Sequence, residues 1–198
     1  SLRAARRRWA CSRGRAGETT QEMTPPDLGW IEEPAPGWIA VGLPHAVSKD
    51  GFVSGDTSGH RLTVRYFRNE LDGSLRAKVL LGPGVQGPPG HAHGGSMAAL
   101  LDEAMGGAAW MSRHMVVAAE LTTRFRKMLP LATRCVIEAR VAHVEGRKVR
   151  TAAMLRDEQG TLYSEGEALF IVLDAERFGA LATDVASLFT PAGREHAR

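Results

Sequence analysis

The sequence predicts an α+β domain in which one long helix packs against an antiparallel sheet. Apolar residues recur at helical spacing between Met97 and Ala108. Segments in which apolar and polar residues alternate lie on both sides of this helix, and short glycine-containing turns join them. The order is strand, strand, helix and then three or four strands, which indicates one central helix wrapped by a sheet of five to six strands.

Two strands and a preceding segment are predicted before the helix. Residues 62–67 and 75–81 are rich in strand-forming side chains and flank Asp72-Gly73, which is typical of a hairpin turn. Residues 23–60 are rich in proline and glycine and form a separate N-terminal segment. We expect this segment to pack on the domain through apolar anchors, which are Trp30, Ile31, Trp38, Ile39 and Val41.

The central helix follows a corner that reads Gly-His-Ala-His-Gly-Gly at residues 90–95. A glycine-rich loop that leads into a helix exposes backbone N–H groups, which bind negative charge. Gly106 and Gly107 each cost about 1 kcal/mol relative to alanine inside a helix, so we expect another backbone to approach there. Asp102 is a carboxylate in an otherwise apolar helix, which is unfavourable unless it has a partner or a task. This stretch therefore predicts a corner that polarises a carbonyl and a carboxylate that acts on it.

Four strands are predicted after the helix. Residues 115–128 alternate as a half-buried strand, with Leu121, Thr123 and Phe125 on one face. Residues 134–144 and 147–156 flank a short turn at Glu145-Gly146, and a last strand covers 161–173. The short turns indicate antiparallel hairpins.

The order of elements and the spacing from His93-Gly94-Gly95 to Asp102 resemble those of the hotdog-fold acyl-CoA thioesterases. The branch that is most similar comprises the phenylacetate-degradation type and its fatty-acyl-CoA relatives. The resemblance extends to residues 129–131 and 144–148 and covers roughly residues 60–174. It implies a hotdog domain over 61–174, a role in fatty acid metabolism, and hydrolysis of medium- or long-chain acyl-CoA to the free acid and CoA.

The same resemblance implies a role for each residue of the corner. Backbone N–H groups near Gly94 and Gly95 would form an oxyanion hole, and Asp102 would act as general base on water or as nucleophile on the thioester carbon. His93 would either position the thioester or satisfy backbone groups where the helix begins. Adjacent Glu103 points about 100° away around the helix and is interpreted as structural.

The distance along the helix predicts an oligomer. Asp102 lies eight residues after Gly94, which corresponds to about 12 Å along the axis. One chain cannot easily bring both groups to one carbonyl. We therefore expect a site shared between two chains, in a homodimer or a dimer of dimers.

Basic residues form two groups after the helix. Arg124 and Arg126 share one strand face, and Arg147 and Lys148 follow the Glu145-Gly146 turn. They have two interpretations, which are a solvated basic face and a site for the phosphates of coenzyme A. The resemblance favours the coenzyme, because the family binds it near these two positions.

One departure from the family concerns a hydroxyl. Related sequences often carry threonine near the start of the first strand after the helix, where this chain has Ala118-Ala119. Three outcomes stay open: lower activity, a different substrate, or transfer of the role to Thr122 or Thr123.

The histidines and cysteines of the sequence indicate which metals and cofactors to expect. His91-Ala92-His93 resembles half of a metal site, but no cysteine or carboxylate pair completes it at a usual ligand spacing, so no metal is predicted. We expect no redox cofactor either, with coenzyme A entering only as part of the substrate. Cys11 and Cys135 make no disulfide framework, which suits a reducing compartment.

The net charge of +3 comes from the N-terminal tail. Residues 1–22 hold six arginines and two glutamates, a net charge of +4, so the rest of the chain carries −1. We expect this tail to be a disordered extension before a natural start at Met23; the alternatives are a transit-like segment and an arm for nucleic acid or membrane. The near-neutral domain argues against nucleic-acid binding. No apolar run reaches about 18 residues, so membrane insertion is not expected.

A cytoplasmic protein is predicted, or one of the mitochondrial matrix if residues 1–22 are a transit segment. Residues 175–198 would form a short amphipathic helix, over about 175–190, and a tail.

Two other functions are possible for a domain of this family. A hotdog domain that binds acyl-CoA as a sensor has no need of a carboxylate such as Asp102 against the thioester. A hotdog dehydratase needs a catalytic histidine and a carboxylate in a differently placed motif, which the sequence lacks.

Overall fold

The computed structural model describes residues 28–43 and 51–173. It confirms the predicted class, because one 18-residue helix packs against a single antiparallel sheet. A short 3₁₀ turn at Pro83–Val85 precedes the long helix. The elements in chain order are α1 Leu28–Glu32, β1 Trp38–Val41, β2 Leu62–Asn69, β3 Leu75–Leu81, α2 Gly94–Met111, β4 Val116–Phe125, β5 Cys135–Glu145, β6 Lys148–Asp157 and β7 Leu162–Val172.

The sheet has seven strands in the order β1-β2-β3-β5-β6-β7-β4, and all neighbours are antiparallel. This is one strand more than the upper limit of the prediction. The additional strand is β1, which lies in the proline- and glycine-rich segment and pairs with β2 from Trp38↔Asn69 to Val41↔Tyr66. The four residues of β1 show no clear alternation, so the sequence did not predict a strand there. A strand this short forms because of its pairing with β2 and not because of its own pattern.

The core lies between α2 and the inner face of the sheet. The side chains that face each other there come from both layers and include Leu100, Leu101, Met105, Ile137 and Leu155. Gly106 and Gly107 do sit at close contacts, but the neighbours are side chains and not the expected backbone. A Cβ added at Gly107 would lie 2.6 Å from Leu43 Cδ1, and one at Gly106 would lie 3.4 Å from Phe170 Cε1. These glycines thus let the helix sit deep in the sheet.

The N-terminal segment packs on the outer face of the sheet. Lys78 of β3 donates to the backbone carbonyls of Trp30 (2.8 Å), in α1, and of Glu33 (2.7 Å), just after α1, and its ammonium lies over the Trp30 ring. Ile31 is buried as expected, whereas the predicted anchor Ile39 is 43% exposed, because β1 is an edge strand.

Strand β4 forms the other edge of the sheet and differs from its predicted burial. The sequence pattern indicated a half-buried strand, yet Leu121 is 38% exposed and Phe125 is 53% exposed. The reason is its position, since β4 pairs only with β7 and nothing in the described part of the chain lies beyond it.

The basic tail 1–22, the proposed start at Met23 and the predicted helix over 175–190 lie outside the described residues. Among the helices of residues 28–43 and 51–173, none combines the length and the apolar character that a membrane crossing requires.

Cys135 is buried in β5, and burial raises the pKa of its thiol to about 12, so it stays protonated.

Candidate active site

Backbone hydrogen bonds hold the glycine-rich corner in place before α2. The N–H of His93 donates to the carbonyl of Val85 at 2.8 Å, and that of Ala92 donates to Leu129 at 2.8 Å. A Cβ at Gly87 would lie 2.8 Å from His93 Cα, so only glycine fits where these two segments cross. The corner is therefore fixed by the loops on both sides of it.

His93 is the N-cap of α2. Its backbone is extended, with φ −68° and ψ 138°, and its Nδ1 accepts a hydrogen bond from the N–H of Gly95 at 2.9 Å. An accepting Nδ1 carries no proton, which assigns the ring proton to Nε2. A Cβ at Gly95 would lie 2.9 Å from Nδ1, so the glycine lets the ring fold back over the helix. In this arrangement the imidazole satisfies a backbone group of the first turn.

The two glycines of the corner are consequently not equivalent. His93 uses the N–H of Gly95, and the N–H of Ser96 donates to the carbonyl of His93 at 3.0 Å. The N–H of Gly94 donates no hydrogen bond within the described residues. Gly94 therefore offers the open donor at the positive end of the helix dipole.

Phe125 is a neighbour of this donor that the sequence did not reveal. A Cβ at Gly94 would lie 3.3 Å from Phe125 Cζ, so the ring of the β4 residue packs directly on the corner. Half of this ring is exposed. No sequence signal identifies the contact, because it depends on where the end of β4 meets the start of α2.

Replacing His93 with alanine is expected to lower stability by about 1 kcal/mol through loss of the cap. Asparagine at the same position should restore most of it, because Asn is among the best N-cap residues. Urea unfolding of the two variants and the wild type measures the difference. An equal loss in both variants would show that the ring acts through packing and not through its acceptor.

Asp102 faces the β7–β4 edge of the sheet. It is half-buried, and its Oδ1 is buried from solvent. One turn later, Gly106 packs against Phe170 of β7, which pairs with Ala118 of β4. The eight residues between Gly94 and Asp102 separate them by about 12 Å along the helix, so one chain keeps the open donor and the carboxylate apart.

The pairing of β4 with β7 places the two candidate hydroxyls, those of Thr122 and Thr123, on opposite faces of the sheet. Thr123 pairs with Gly166, and a Cβ on that glycine would lie 3.2 Å from Met105 Cε and 3.4 Å from Leu101 Cδ1 of the helix. Directly paired residues share a face, so Thr123 faces α2 and its Oγ1 is buried. Thr122 points to the opposite face and lines an outer groove of about 310 Å³. Thr123 is therefore the hydroxyl on the side of Asp102.

A second carboxylate on α2 is held by a buried tyrosine. The hydroxyl of Tyr66 donates to Glu103 Oε1 at 2.6 Å, and Tyr66 is only 4% exposed. Burial, and then the negative charge of Glu103 and this hydrogen bond, raise the pKa of Tyr66 well above 10, so it remains a donor. Sequence reasoning placed Glu103 on the helix but did not find its partner, since the register between β2 and α2 is not readable from either segment.

The first pair of predicted coenzyme cations is engaged on the outer face. Arg124 Nη1 lies 3.2 Å from Glu167 Oε1, and Arg126 forms a salt bridge with Glu165. Arg126 and the neighbouring arginines Arg124 and Arg156 lower the pKa of the Glu165 carboxyl, the hydrogen bond from Arg126 being the largest cause. Such exposed pairs contribute little to stability and can exchange partners.

The second pair lies at the other end of the same strands. Arg147 donates from Nε and Nη2 to the carbonyl of Val172 at 3.2 and 3.1 Å, and Lys148 is exposed. Along β7, the residue opposite Lys148 is six positions from the one opposite Arg124, which is about 20 Å. A single chain therefore does not bring the four cations together.

The histidines of the corner make local contacts. His91 Nδ1 lies 2.8 Å from the carbonyl oxygen of Pro89. Three or more side chains of the metal-ligating types do not cluster anywhere in residues 28–43 and 51–173.

Comparison with known proteins yields consistent matches. The thioesterase superfamily matches residues 89–164. The acyl-coenzyme A thioesterase THEM4 of Xenopus laevis is 38% identical over 119 residues, which are 60% of this chain and 54% of the relative. The chain thus spans about half the length of this curated relative.

Solved structures agree with the fold. The crystal structure of a thioesterase superfamily protein is 33% identical, covers 72% of both chains and superposes with a TM-score of 0.53. A hypothetical thioesterase of Streptococcus pneumoniae, solved with coenzyme A, is 16% identical over 57% of this chain and 88% of its own, with a TM-score of 0.51. The second match supports the fold alone.

Proposed function

Because the chain belongs to the thioesterase superfamily, we propose that it hydrolyses the thioester of medium- or long-chain fatty acyl-CoA to the free acid and coenzyme A. The observation that carries this proposal is the open N–H of Gly94 at the start of a helix that also bears Asp102. The reaction needs water, a backbone donor and a carboxylate, so we propose that it uses no metal or redox cofactor.

The open backbone donor would stabilise the transition state. Attack on a thioester carbon moves negative charge onto the carbonyl oxygen, and a fixed N–H aimed at that oxygen lowers the barrier. Gly94 is favoured over Gly95, because the N–H of Gly95 is already bound by His93. His93 then supports the reaction indirectly, by fixing the first turn.

Asp102 of a partner subunit would supply the base. Its carboxylate takes a proton from water as the water oxygen bonds to the thioester carbon; the C–S bond then breaks, and the coenzyme thiolate leaves and is protonated. The alternative is direct attack by the carboxylate, followed by hydrolysis of the acyl-enzyme anhydride. Thr123, which faces the same helix, is the better candidate than Thr122 to orient the water.

The exposed edge of β4 supports a homodimer. An edge strand of ten residues with exposed apolar side chains is a site for pairing with another chain. A second copy that pairs antiparallel about a two-fold axis would continue the sheet and bury the same surface on both chains. The apolar residues concerned are Val117, Leu121 and Phe125 of β4, with Met128 shortly after its end.

The same pairing would assemble the coenzyme site. Around a two-fold axis, the end of β4 in one chain lies beside its start in the other. Arg124 and Arg126 of one subunit would then approach Arg147 and Lys148 of the partner, which lie at the opposite end of the sheet. Four cations at one place suit the phosphates of coenzyme A.

Release of thiol from a panel of short, long and aromatic acyl-CoAs by the purified protein tests the proposed activity. Hydrolysis that is fastest with medium or long chains is expected. Binding of acyl-CoA without turnover across the panel would replace the enzyme with a sensor. Sedimentation at the assay concentration checks the dimer in the same preparation.

Replacing Gly94 with proline is expected to lower kcat by about 10²- to 10³-fold, because proline has no N–H. The fold should tolerate it, since proline is favoured at the first helical position and His93 already has the extended backbone that precedes proline. Gly94→Ala is the control, because it keeps the N–H and adds the Cβ that meets Phe125. If alanine reduced kcat as much as proline, crowding and not the donor would be responsible.

A further inference from the structure

We propose that Phe125 is a specificity-determining residue, whose ring admits acyl groups that are unbranched next to the thioester carbonyl and excludes those that are branched there. The inference rests on the proposed function and deepens it, because it names the class of acyl group that the site would take.

Strand β4 brings Phe125 to the corner from the inner face of the sheet. Phe125 pairs with Ser164 of β7, which pairs with Leu155 of β6, and both of these partners are 0% exposed. Directly paired residues share a face, so the ring projects to the side of the core and of α2. Half of it remains exposed. The ring therefore rests on a buried layer and keeps one side accessible to a ligand.

The tip of the ring touches the residue that offers the open donor. A Cβ at Gly94 would lie 3.3 Å from Cζ, 3.5 Å from Cε1 and 3.7 Å from Cε2 of Phe125. Carbon atoms pack best about 3.5 to 4.0 Å apart, so a single methyl group would already fill the gap between Gly94 and the ring. A ligand that binds the Gly94 N–H must therefore pass along the ring and not behind it.

Two rings of different character border the first turn of α2. His93 folds over Gly95, where a Cβ would lie 2.9 Å from Nδ1, while Phe125 packs on Gly94. Adjacent helical residues point about 100° apart, so the polar imidazole and the apolar phenyl ring lie on neighbouring sides of the turn. The N–H of Gly94 opens toward the start of the helix, beside both rings. A carbonyl bound there would place its apolar substituent against Phe125.

That substituent is carbon 2 of the acyl chain, since the other substituent of a thioester carbonyl is the sulfur of the coenzyme. Contact with Phe125 removes carbon 2 from water, which favours this orientation. A methylene presents only hydrogens to the ring, whereas a methyl branch adds a carbon in the space that the ring tip fills. The ring thus discriminates by shape at carbon 2.

The test compares decanoyl-CoA with 2,2-dimethyldecanoyl-CoA, which is branched on both sides of carbon 2. The wild type should favour the straight chain, and the ratio of the two kcat/KM values should fall by about 10- to 200-fold in Phe125→Ala, which is the effect of one methyl group in an apolar pocket. Phe125→Leu, which stays apolar but lacks Cζ, should lower the ratio in the same direction. Intrinsic hindrance of the branched thioester cancels, because it is the same for every variant.

Leu121→Ala is the matched control. Leu121 lies four residues earlier on the same face of β4 and is 38% exposed. Its truncation removes apolar surface from the same edge of the sheet but not from the corner. The ratio should stay at the wild-type value, and sedimentation of all variants checks the dimer.

Binding separates this inference from the proposed activity. Ketone analogues, in which a methylene lies between the sulfur and the carbonyl, keep the carbonyl that Gly94 would bind but cannot be hydrolysed. Calorimetry should give the lower Kd for the straight analogue in the wild type and a smaller difference in Phe125→Ala. Unchanged ratios in both Phe125 variants would overturn the inference. Selective binding of the straight analogue by a wild type that hydrolyses nothing would instead overturn the proposed activity and leave the inference standing.

Discussion

Asp102→Asn is expected to reduce kcat for acyl-CoA hydrolysis by at least about 10³-fold, because an amide neither accepts a proton from water nor attacks a thioester carbon. The fold should not suffer. Asparagine has the same shape, and removal of a half-buried charge from a functional site commonly leaves stability unchanged or raises it. Thiol release and thermal unfolding of the same preparations measure the two effects.

The control for this substitution is Asp72→Asn, which removes one carboxylate from an exposed turn between β2 and β3. It should hydrolyse acyl-CoA at the wild-type rate. Equal rates for Asp102→Asn and the wild type would remove Asp102 from the chemistry. Solvent labelled with ¹⁸O then separates the two roles, since a single turnover leaves label in Asp102 only if its carboxylate is the nucleophile.

The sequence alone was sufficient to predict the helix α2 and most strands of the sheet. Helix α2 follows from apolar positions 97, 100, 101, 104, 105 and 108, all of which are buried. Strand β6 follows from its alternation, since Val149, Thr151, Ala153 and Leu155 are all buried. These predictions succeed because burial on one face repeats with the period of the element itself.

Properties that depend on a partner strand could not be read in this way. The alternation in β4 is real, but its apolar face stays exposed because no strand of the described chain lies beyond it. The basic residues around Arg124 and those around Lys148 form two separate clusters in one chain. The reason is the strand pairing, which puts Arg124 and Lys148 opposite residues near the two different ends of β7. Sequence spacing gives neither the order of strands nor their register.

The candidate site was likewise predictable from the sequence only in part. The spacing between the glycine-rich corner and Asp102 could be predicted from the sequence, because both lie on one continuous helix. The difference between Gly94 and Gly95 could not be, since it depends on the rotamer of His93. The partner of Glu103 was not legible either, because Tyr66 lies 37 residues away in a strand.

The shared site makes a prediction that does not depend on the chemistry assigned to Asp102. Gly94→Pro and Asp102→Asn should each be almost inactive as homodimers. When equal amounts are mixed and allowed to exchange subunits, half of the dimers are mixed. Each mixed dimer then has one site with both the Gly94 donor of one chain and the Asp102 carboxylate of the other.

About a quarter of the wild-type activity should therefore return on mixing, since one of two sites is intact in half of the dimers. A chain that carries both substitutions, mixed with the wild type, is the control, because its mixed dimers have no site with two altered groups and none with two intact ones. If donor and carboxylate belonged to the same chain, the first mixture would stay inactive and the control would retain half of the activity. Thiol release after incubation for subunit exchange distinguishes the two arrangements, and recovery in the first mixture requires that the 12 Å between Gly94 and Asp102 along one helix is bridged by a second copy.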